Sequence, residues 1–182
     1  SCQVIPCGID LDLFQPMDQI AVRQQLNLPQ DIKLILFGGR PEMPIKRYGL
    51  ARQAVNLLRD RDVEMIALSK VPHDQMPLYL NACDVLLLTS LHEGSPTIVK
   101  ESLACDLPIV STDVGDVRLR VKGVEGCIVC NDESPETIAA ALLQVLSSGQ
   151  RVNGRQAVMD LDEDLLTQQV IQVYWKAIAK AK

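Results

Sequence analysis

The sequence predicts a single α/β domain whose parallel sheet is covered by helices on both faces, a doubly wound arrangement. Short apolar runs alternate with longer segments of helical periodicity along most of the chain. The runs are apolar at nearly every position, which is typical of strands buried on both faces. With 182 residues and 47% hydrophobic side chains, the chain is long enough for one well-buried core and short for two.

The predicted strands and helices alternate from residue 33 onward. The strands are KLILFGG (33–39), VEMIAL (63–68), DVLLLTS (84–90), LPIVSTD (107–113) and EGCIVC (125–130). Four other segments have apolar residues three and four positions apart, with turn or capping residues at their ends. These predicted helices are YGLARQAVNLLRD (48–60), QMPLYLNAC (75–83), SPTIVKESLAC (95–105) and SPETIAAALLQVLSSG (134–149).

The two ends of the chain suggest a longer polypeptide. The sequence starts at Ser1 without an initiating Met and is already strand-like by Val4. Asp164 to Lys182 is predicted to be a helix with more apolar side chains than one buried face needs. We expect this helix to pack beyond the central sheet.

Composition argues against several classes of partner. The net charge of -5, the 3% aromatic content and the lack of a Lys/Arg run disfavour nucleic-acid binding. No apolar stretch approaches the roughly 18 residues that span a bilayer.

The six cysteines are scattered among apolar neighbours, which favours reduced thiols and a cytoplasmic location. Cys127 and Cys130 have the spacing of a redox or zinc motif, but the intervening Ile-Val favours a strand that points them to opposite faces.

A candidate anion site lies at the start of the helix that follows the third strand. Ligands of open α/β sheets bind at the carboxyl ends of the strands, where loops lead into helix N-termini. We expect Ser95 to cap this helix and Pro96 to take its first position, which leaves the N–H groups of Thr97 and Ile98 free. Gly94 has no side chain to crowd an incoming group. Free donors and the helix dipole make this N-terminus suitable for a phosphate.

Two carboxylates and a set of cations accompany this helix. Glu101 lies one turn inside it, where a carboxylate is suited to the two hydroxyls of a ribose; a solvated carboxylate without function is the alternative. Glu93 precedes the helix and could meet another polyol. Arg40, Lys46 and Arg47 follow the first strand, and the first two are expected to reach the same edge and to offset the charge of a diphosphate.

Four stretches resemble one protein family. EGSPTIVKE (93–101) is similar to the Glu, seven residues, Glu motif of the retaining GT-B glycosyltransferases of glycosyltransferase family 4, and SLACDLPIVSTDVGDV (102–117) to the segment that follows it. VIPCGIDLDLFQP (4–16) resembles the family's interdomain segment, and FGGRPEMPIKRYGL (37–50) its Arg/Lys loop. The likeness runs through nearly the whole chain in the family's order. It implies a Rossmann-like domain, the C-terminal half of a GT-B fold.

The resemblance also implies how a donor would be held. Gly39, Arg40 and Lys46 would bind the diphosphate of a UDP-sugar or GDP-sugar, and in the variant of this loop that lacks Arg, Lys46 alone has the role. Glu93 and the backbone N–H groups from Gly94 to Ile98 would hold the transferred sugar and its phosphate, and Glu101 the ribose. Arg40, Lys46 and Glu93 would be the catalytic groups. The base would meet backbone groups around residues 69–72.

The resemblance further implies that no metal and no cofactor other than the nucleotide-sugar donor is needed. The acceptor, a saccharide or a lipid-linked molecule, would bind an N-terminal domain that this chain lacks. Residues 1–16 would connect the two domains, and the helix at 163–182 would pack toward the missing one. The 182 residues alone would then be inactive, and the longer enzyme could associate peripherally with a membrane.

Other functions remain as alternatives. A nicotinamide-dependent enzyme would carry G-x-G-x-x-G after the first strand, where this chain has FGGRPEM. The Walker loop of nucleoside triphosphatases is also missing. A nucleotide-sugar epimerase of the same fold and a non-catalytic nucleotide-binding module stay open. The acidic DLD (10–12) has the form of a metal motif but is expected to be a loop.

Overall fold

A computed structural model describes residues 4–58 and 62–180 of the chain. At its centre is a parallel sheet of five strands in the order β2-β1-β3-β4-β5. The strands are β1 (Lys33–Phe37), β2 (Val63–Ala67), β3 (Val85–Leu88), β4 (Ile109–Ser111) and β5 (Ile128–Val129). All four pairings are parallel, so the predicted doubly wound sheet is confirmed.

Seven α-helices surround the sheet in the described residues. They are α1 (Gln19–Gln25), α2 (Tyr48–Asn56), α3 (Met76–Ala82), α4 (Thr97–Ala104), α5 (Val117–Arg120), α6 (Pro135–Ser148) and α7 (Glu163–Lys180). Short 3₁₀ helices cover Pro44–Lys46, His73–Gln75 and Arg155–Leu161. The four predicted central helices correspond to α2, α3, α4 and α6; the last residues predicted for α2, from 59 onward, lie outside the described part.

The strands divide the core into two layers because alternate side chains point to opposite faces. In β1, Leu34 and Leu36 pack with α3 and α4, whereas Ile35 and Phe37 pack with α2 and α6. β3 and β4 are buried in the same two-sided way, as expected. β2 departs from the expectation: it is an edge strand, and its Glu64 is exposed.

The crossovers place a ligand-sized gap between β1 and β3. The chain leaves β1 for α2 on one face of the sheet and leaves β3 for α4 on the other. Neighbouring loops that diverge in this way open a crevice at the carboxyl ends of the strands. The fold therefore directs the loops after β1 and β3 to one site.

The first and last described segments are joined to each other. Ile9 pairs with Asp162 in a parallel bridge, through hydrogen bonds of 2.9 Å to Leu161 and 3.0 Å from Glu163. The Arg155 guanidinium donates to the backbone carbonyls of Leu11, Phe14 and Ala104, at 2.8, 2.6 and 3.2 Å. Asp10 accepts hydrogen bonds from the backbone N–H groups of residues 12 and 13, so the DLD segment is a turn.

Helix α7 leaves most of its apolar side chains in solvent. Leu166 is buried, whereas seven large apolar side chains are exposed: Leu165, Val170, Ile171, Val173, Tyr174, Trp175 and Ile178. Within residues 4–58 and 62–180, no helix has both the length and the apolar character needed to cross a bilayer. The excess apolar surface predicted for the tail is thus present, and nothing in the described chain covers it.

The five described cysteines are free thiols. Burial raises the pKa of Cys83 and of Cys105 to about 12, and that of Cys127 to about 11. Cys127 packs in the core layer of α3 and α4, whereas Cys130 packs in the layer of α2 and α6. The predicted strand between them is therefore confirmed, and the two sulfurs do not share a site.

Candidate functional site

A cavity of about 520 Å³ opens at the carboxyl ends of β1 and β3. Of the ten residues predicted for the site, nine line this cavity: Gly39, Arg40, Lys46, Glu93, Gly94, Ser95, Pro96, Thr97 and Ile98. The tenth, Glu101, is not among its lining residues. The crevice that the crossovers create and the predicted anion site are thus the same place.

The start of α4 differs from the expected capped helix. Pro96, not Ser95, occupies the N-cap position and has no side-chain capping bond, and the helix begins at Thr97. The Ser95 hydroxyl instead donates to Asp116 Oδ2, at 2.8 Å. This side chain is occupied by the loop after β4, so it does not cap the helix. Thr97 and Ile98 are the first two helical residues, and N–H groups at these positions have no partner inside a helix.

The loop before α4 rests on a glycine from the loop after β4. Gly115 has a φ of 55°, and a Cβ placed there would lie 2.5 Å from the Gly94 carbonyl oxygen and 3.0 Å from that of Glu93. A Cβ at Gly94 would meet nothing within 4 Å, because this residue faces the cavity. Gly115 therefore sets the position of the backbone that borders the cavity.

Lys46 and Glu93 form an ion pair inside the cavity. Lys46 Nζ lies 2.5 Å from Glu93 Oε1, and the two side chains are 19% and 15% exposed. Arg40 also lines the cavity, but its side chain is exposed and makes no ion pair or hydrogen bond with any part of the chain that the structure describes. Among the described residues, the cavity thus holds one paired cation, Lys46, and two cations without an ion pair, Arg40 and Lys70.

Arg47 lies outside the cavity lining, in contrast to its two basic neighbours. Its guanidinium donates to the carbonyl oxygens of Thr89 and Ser90, at 2.6 and 3.1 Å, and pairs with Glu133. Its backbone has a φ of 52°, a left-handed conformation that costs any residue with a Cβ roughly 1 to 2 kcal/mol. Arg47 therefore ties the loop after β1 to β3 and to the loop after β5, and offers no cation to a ligand.

Glu101 is buried beside His73. Glu101 Oε1 lies 2.8 Å from His73 Nε2; the carboxylate is 6% exposed and the imidazole 65%. Burial raises the pKa of Glu101, and the hydrogen bond from His73 and the charge of Lys100 offset part of this effect. The imidazole also contacts the Phe14 ring, with centroids 5.1 Å apart. Glu101 is thus a buried acceptor in contact with His73, rather than a solvated surface carboxylate.

Several contributors to the site were not predicted from the sequence. His73 was not predicted as a site residue; it lies on the 3₁₀ helix after β2 and contacts Glu101. The loop after β2, whose residues 69–72 were expected to lie near the base, does border the cavity. It adds Leu68, Lys70 and Val71 to the cavity lining, which Phe37, Gly38, Met43 and Met76 complete.

A second, larger depression does not compete as the site. It has a volume of about 680 Å³ and is bordered by the segment before β5 and the segment after α6, including Lys122 and Arg151. These segments lie at the amino ends of the strands, whereas ligands of open α/β sheets bind at the carboxyl ends. In the described residues, no group of three or more His, Cys, Asp or Glu side chains could hold a metal ion.

Comparison with known proteins identifies relatives over most of the chain. The family described as glycosyl transferases group 1 matches residues 13–148. A putative teichuronic acid biosynthesis glycosyltransferase, TuaC, of Bacillus subtilis is 30% identical over 157 residues, which cover 76% of this chain and 40% of that protein. The chain therefore spans less than half of this relative.

Solved structures share the fold. Sucrose-phosphate synthase from Thermosynechococcus elongatus aligns with a TM-score of 0.81 at 23% identity, over 98% of this chain and 53% of that one. The Anabaena protein HepE, solved in complex with UDP-glucose, aligns with a TM-score of 0.75 at 18% identity, over 96% of this chain and 57% of that one. With a group 1 match over most of its length and a sheet that superposes on these structures, the chain belongs to the glycosyl transferases group 1 family.

Proposed function

We propose that the chain is the donor-binding domain of a retaining glycosyltransferase, which transfers a sugar from a UDP-sugar or GDP-sugar to a saccharide or lipid-linked acceptor. The observation that carries this proposal is the convergence of Lys46, Glu93 and the free N-terminus of α4 on one cavity. Cationic and N–H donors suit a diphosphate, and a carboxylate beside them suits a sugar hydroxyl.

The same arrangement suits departure of the nucleotide. When the anomeric bond breaks, negative charge accumulates on the phosphate oxygens of the leaving diphosphate. Lys46 and the N–H groups of α4 are held in place before the reaction, so they stabilise this charge more in the transition state than in the ground state, and Arg40 at the rim of the same cavity adds a further cation. The chain's own cations can fill the role that a divalent metal has in other transferases.

The nucleoside would extend from the diphosphate along α4. The ribose would reach Glu101 once the His73 imidazole shifts or shares the carboxylate, and the base would lie against the loop of residues 69–72, next to Leu68 and Val71 in the cavity wall. The UDP-glucose complex of the HepE protein, which has the same fold, supports a nucleotide sugar as the ligand.

The proposal includes a second domain. The relatives extend well beyond the matched region, and α7 presents apolar side chains that no described residue covers. We propose that α7 packs against an N-terminal domain of a longer polypeptide, that residues 1–16 connect the two, and that the acceptor binds between them. Alone, this chain binds donor and does not transfer it.

Calorimetric titration with UDP and GDP, each with and without EDTA, tests the proposed function. We expect one of the two nucleotides to bind, with the same affinity in EDTA as with Mg²⁺. Lys46→Ala should weaken binding by about tenfold or more, since one charged hydrogen bond contributes roughly 1.5 to 3 kcal/mol. Lys122→Ala is the matched control, because this exposed lysine lies at the other edge of the sheet. Binding that requires Mg²⁺ or Mn²⁺, or that both substitutions weaken equally, would contradict the proposal.

A further inference from the structure

The ion pair between Lys46 and Glu93 is built into the fold rather than formed by chance on the surface. The Thr89 hydroxyl donates to the Lys46 carbonyl at 2.9 Å and fixes the backbone of that residue. A Cβ at Gly39 would lie 2.8 Å from two carbons of the Lys46 side chain, so glycine at this position lets the lysine reach across the cavity. Both charged groups are largely withdrawn from solvent.

This pairing affects any diphosphate that enters the cavity. Before a ligand arrives, the charge of Lys46 is already neutralised by Glu93, at 2.5 Å. A phosphate that takes Lys46 as its partner leaves the carboxylate without its cation, in a place where little water can reach it. Such a carboxylate needs another donor, or its negative charge opposes the new ligand.

Nucleotide sugars and free nucleoside diphosphates meet this requirement differently. A nucleotide sugar brings hydroxyl groups that can donate to Glu93 in place of Lys46. A free nucleoside diphosphate brings no hydroxyl there, and its terminal phosphate carries up to about one more negative charge at neutral pH than the esterified one.

We propose that Glu93 makes the site discriminate between the nucleotide-sugar substrate and the nucleoside diphosphate product. This inference rests on the proposed function. The substrate offers a partner to both side chains, because its diphosphate pairs with Lys46 and a hydroxyl of its sugar donates to Glu93. The product pairs with Lys46 but offers no donor to Glu93, whose negative charge repels it. The residue that holds the sugar therefore also promotes release of the nucleotide after transfer.

Glu93→Gln tests the proposal, because it removes the negative charge and keeps the size of the side chain. The 182-residue chain is titrated by calorimetry with UDP and UDP-glucose, and in parallel with GDP and GDP-mannose. We expect the affinity for the free diphosphate that binds to rise by about fivefold to tenfold, as the repulsion of a nearby like charge is lost. The preference for the corresponding nucleotide sugar over that diphosphate should fall by at least the same factor.

Glu133→Gln is the matched control, since Glu133 also forms an ion pair, with Arg47, but does not line the cavity. It makes the same change in net charge and should leave both affinities unchanged. If Glu93→Gln binds UDP or GDP as the wild type does, or more weakly, while its melting temperature is normal, the inference is wrong and the proposed function stands. If the wild type binds neither nucleotide, the proposed function itself is wrong, and the inference with it.

Discussion

Glu101 is the residue at which folding and the proposed nucleotide binding make opposite demands. Its pKa is raised above the ordinary value of 4.5, chiefly because burial disfavours the charged form. The folded protein therefore holds the proton more tightly than the unfolded chain does. Stability conferred by the neutral form is present at low pH and is lost as the pH rises from about 4.5 through the folded-state pKa. At neutral pH the folded protein contains a buried, ionised carboxylate, which lowers the free energy of unfolding.

Replacement of Glu101 by Gln separates its effect on stability from its proposed role in binding the ribose. Gln cannot ionise, is as good a helix former as Glu and can keep a hydrogen bond to His73. We expect the melting temperature to rise relative to the wild type at pH 7 and this advantage to disappear near pH 4. Nucleotide affinity should fall by about tenfold or more, because a charged acceptor for the ribose hydroxyls is lost.

A 2′-deoxynucleotide completes this test. It should bind the wild type more weakly than the parent nucleotide does, and this difference should shrink in Glu101→Gln. A carboxylate that only braces the core would give the reverse pattern, namely a lower melting temperature at pH 7 with nucleotide affinity intact. If the 2′-deoxynucleotide loses the same factor of affinity in the wild type and in Glu101→Gln, the ribose does not bind at Glu101.

At the scale of single residues, the sequence could predict which side chains share the cavity, but not how they pair. Lys46 and Glu93 follow different strands, and the carboxyl ends of parallel strands meet at one edge, so their proximity was predictable. Their direct contact depends on side-chain paths, such as that of Lys46 across Gly39. The contact of His73 with Glu101 depends likewise on where a loop comes to rest. Ser95 had the chemistry of a cap, but Asp116 of another loop competes for its hydroxyl.

At the scale of elements, the loop between β3 and α4 is supported from outside by Gly115. We predict that Gly115→Ala weakens nucleotide binding although Gly115 does not line the cavity. The added methyl group would meet backbone oxygens of Glu93 and Gly94, which cannot rotate away as a side chain could. The loop must shift, and with it Glu93 and the N-terminus of α4.

Gly123→Ala is the control for this prediction. Gly123 also has a positive φ, 80°, but a Cβ there would meet nothing within 4 Å. Both substitutions should lower stability by roughly 1 to 2 kcal/mol through backbone strain, as measured by urea denaturation. Only Gly115→Ala should change the nucleotide Kd. Equal Kd values for the two variants would show that this loop does not depend on Gly115.

The success of sequence-based prediction differed between elements for physical reasons. Helices α4 and α6 are periodic enough to be recognised, and β3 and the last four residues of β1 are apolar at each position. Helix α1 was not predicted, because its seven residues bury only Val22 and Arg23. Arg23 is buried because Asp84 lies 2.7 Å from it, a distant partner that no local pattern reveals. For β2, an apolar run did not distinguish an edge strand from a central one.

At the scale of the whole molecule, the order of the strands is what the sequence left undetermined. A chain of alternating strands and helices is compatible with several parallel orders, and the position of β3 beside β1 is set by contacts between distant residues. This order creates the crevice in which the cavity lies. The class of fold and the edge that carries the site were therefore predictable, and the pairing that brings two particular loops together was not.

We predict that the 182-residue chain has no more than background activity as a transferase. In the proposed arrangement this chain holds only the donor, and the acceptor and the other wall of the cleft would come from the domain proposed to cover α7. Release of labelled sugar from UDP-glucose and GDP-mannose, with water or oligosaccharides as acceptor, measures both hydrolysis and transfer. The longer polypeptide in the same assay is the positive control. Sustained transfer by this chain alone would show that a single domain suffices.

The bridge between Ile9 and Asp162 has a consequence for engineering. Because these two residues are paired, the segment from 9 to 162 begins and ends at one place, and Arg155 holds the start of the segment through hydrogen bonds to the carbonyl oxygens of Leu11 and Phe14. A module with adjacent ends can be inserted into a surface loop of an unrelated host without stretching either protein. In such a chimera, the proposed binding of a nucleotide would be transmitted to the host through these two adjoining ends, which makes this domain a candidate sensor cassette for nucleotides.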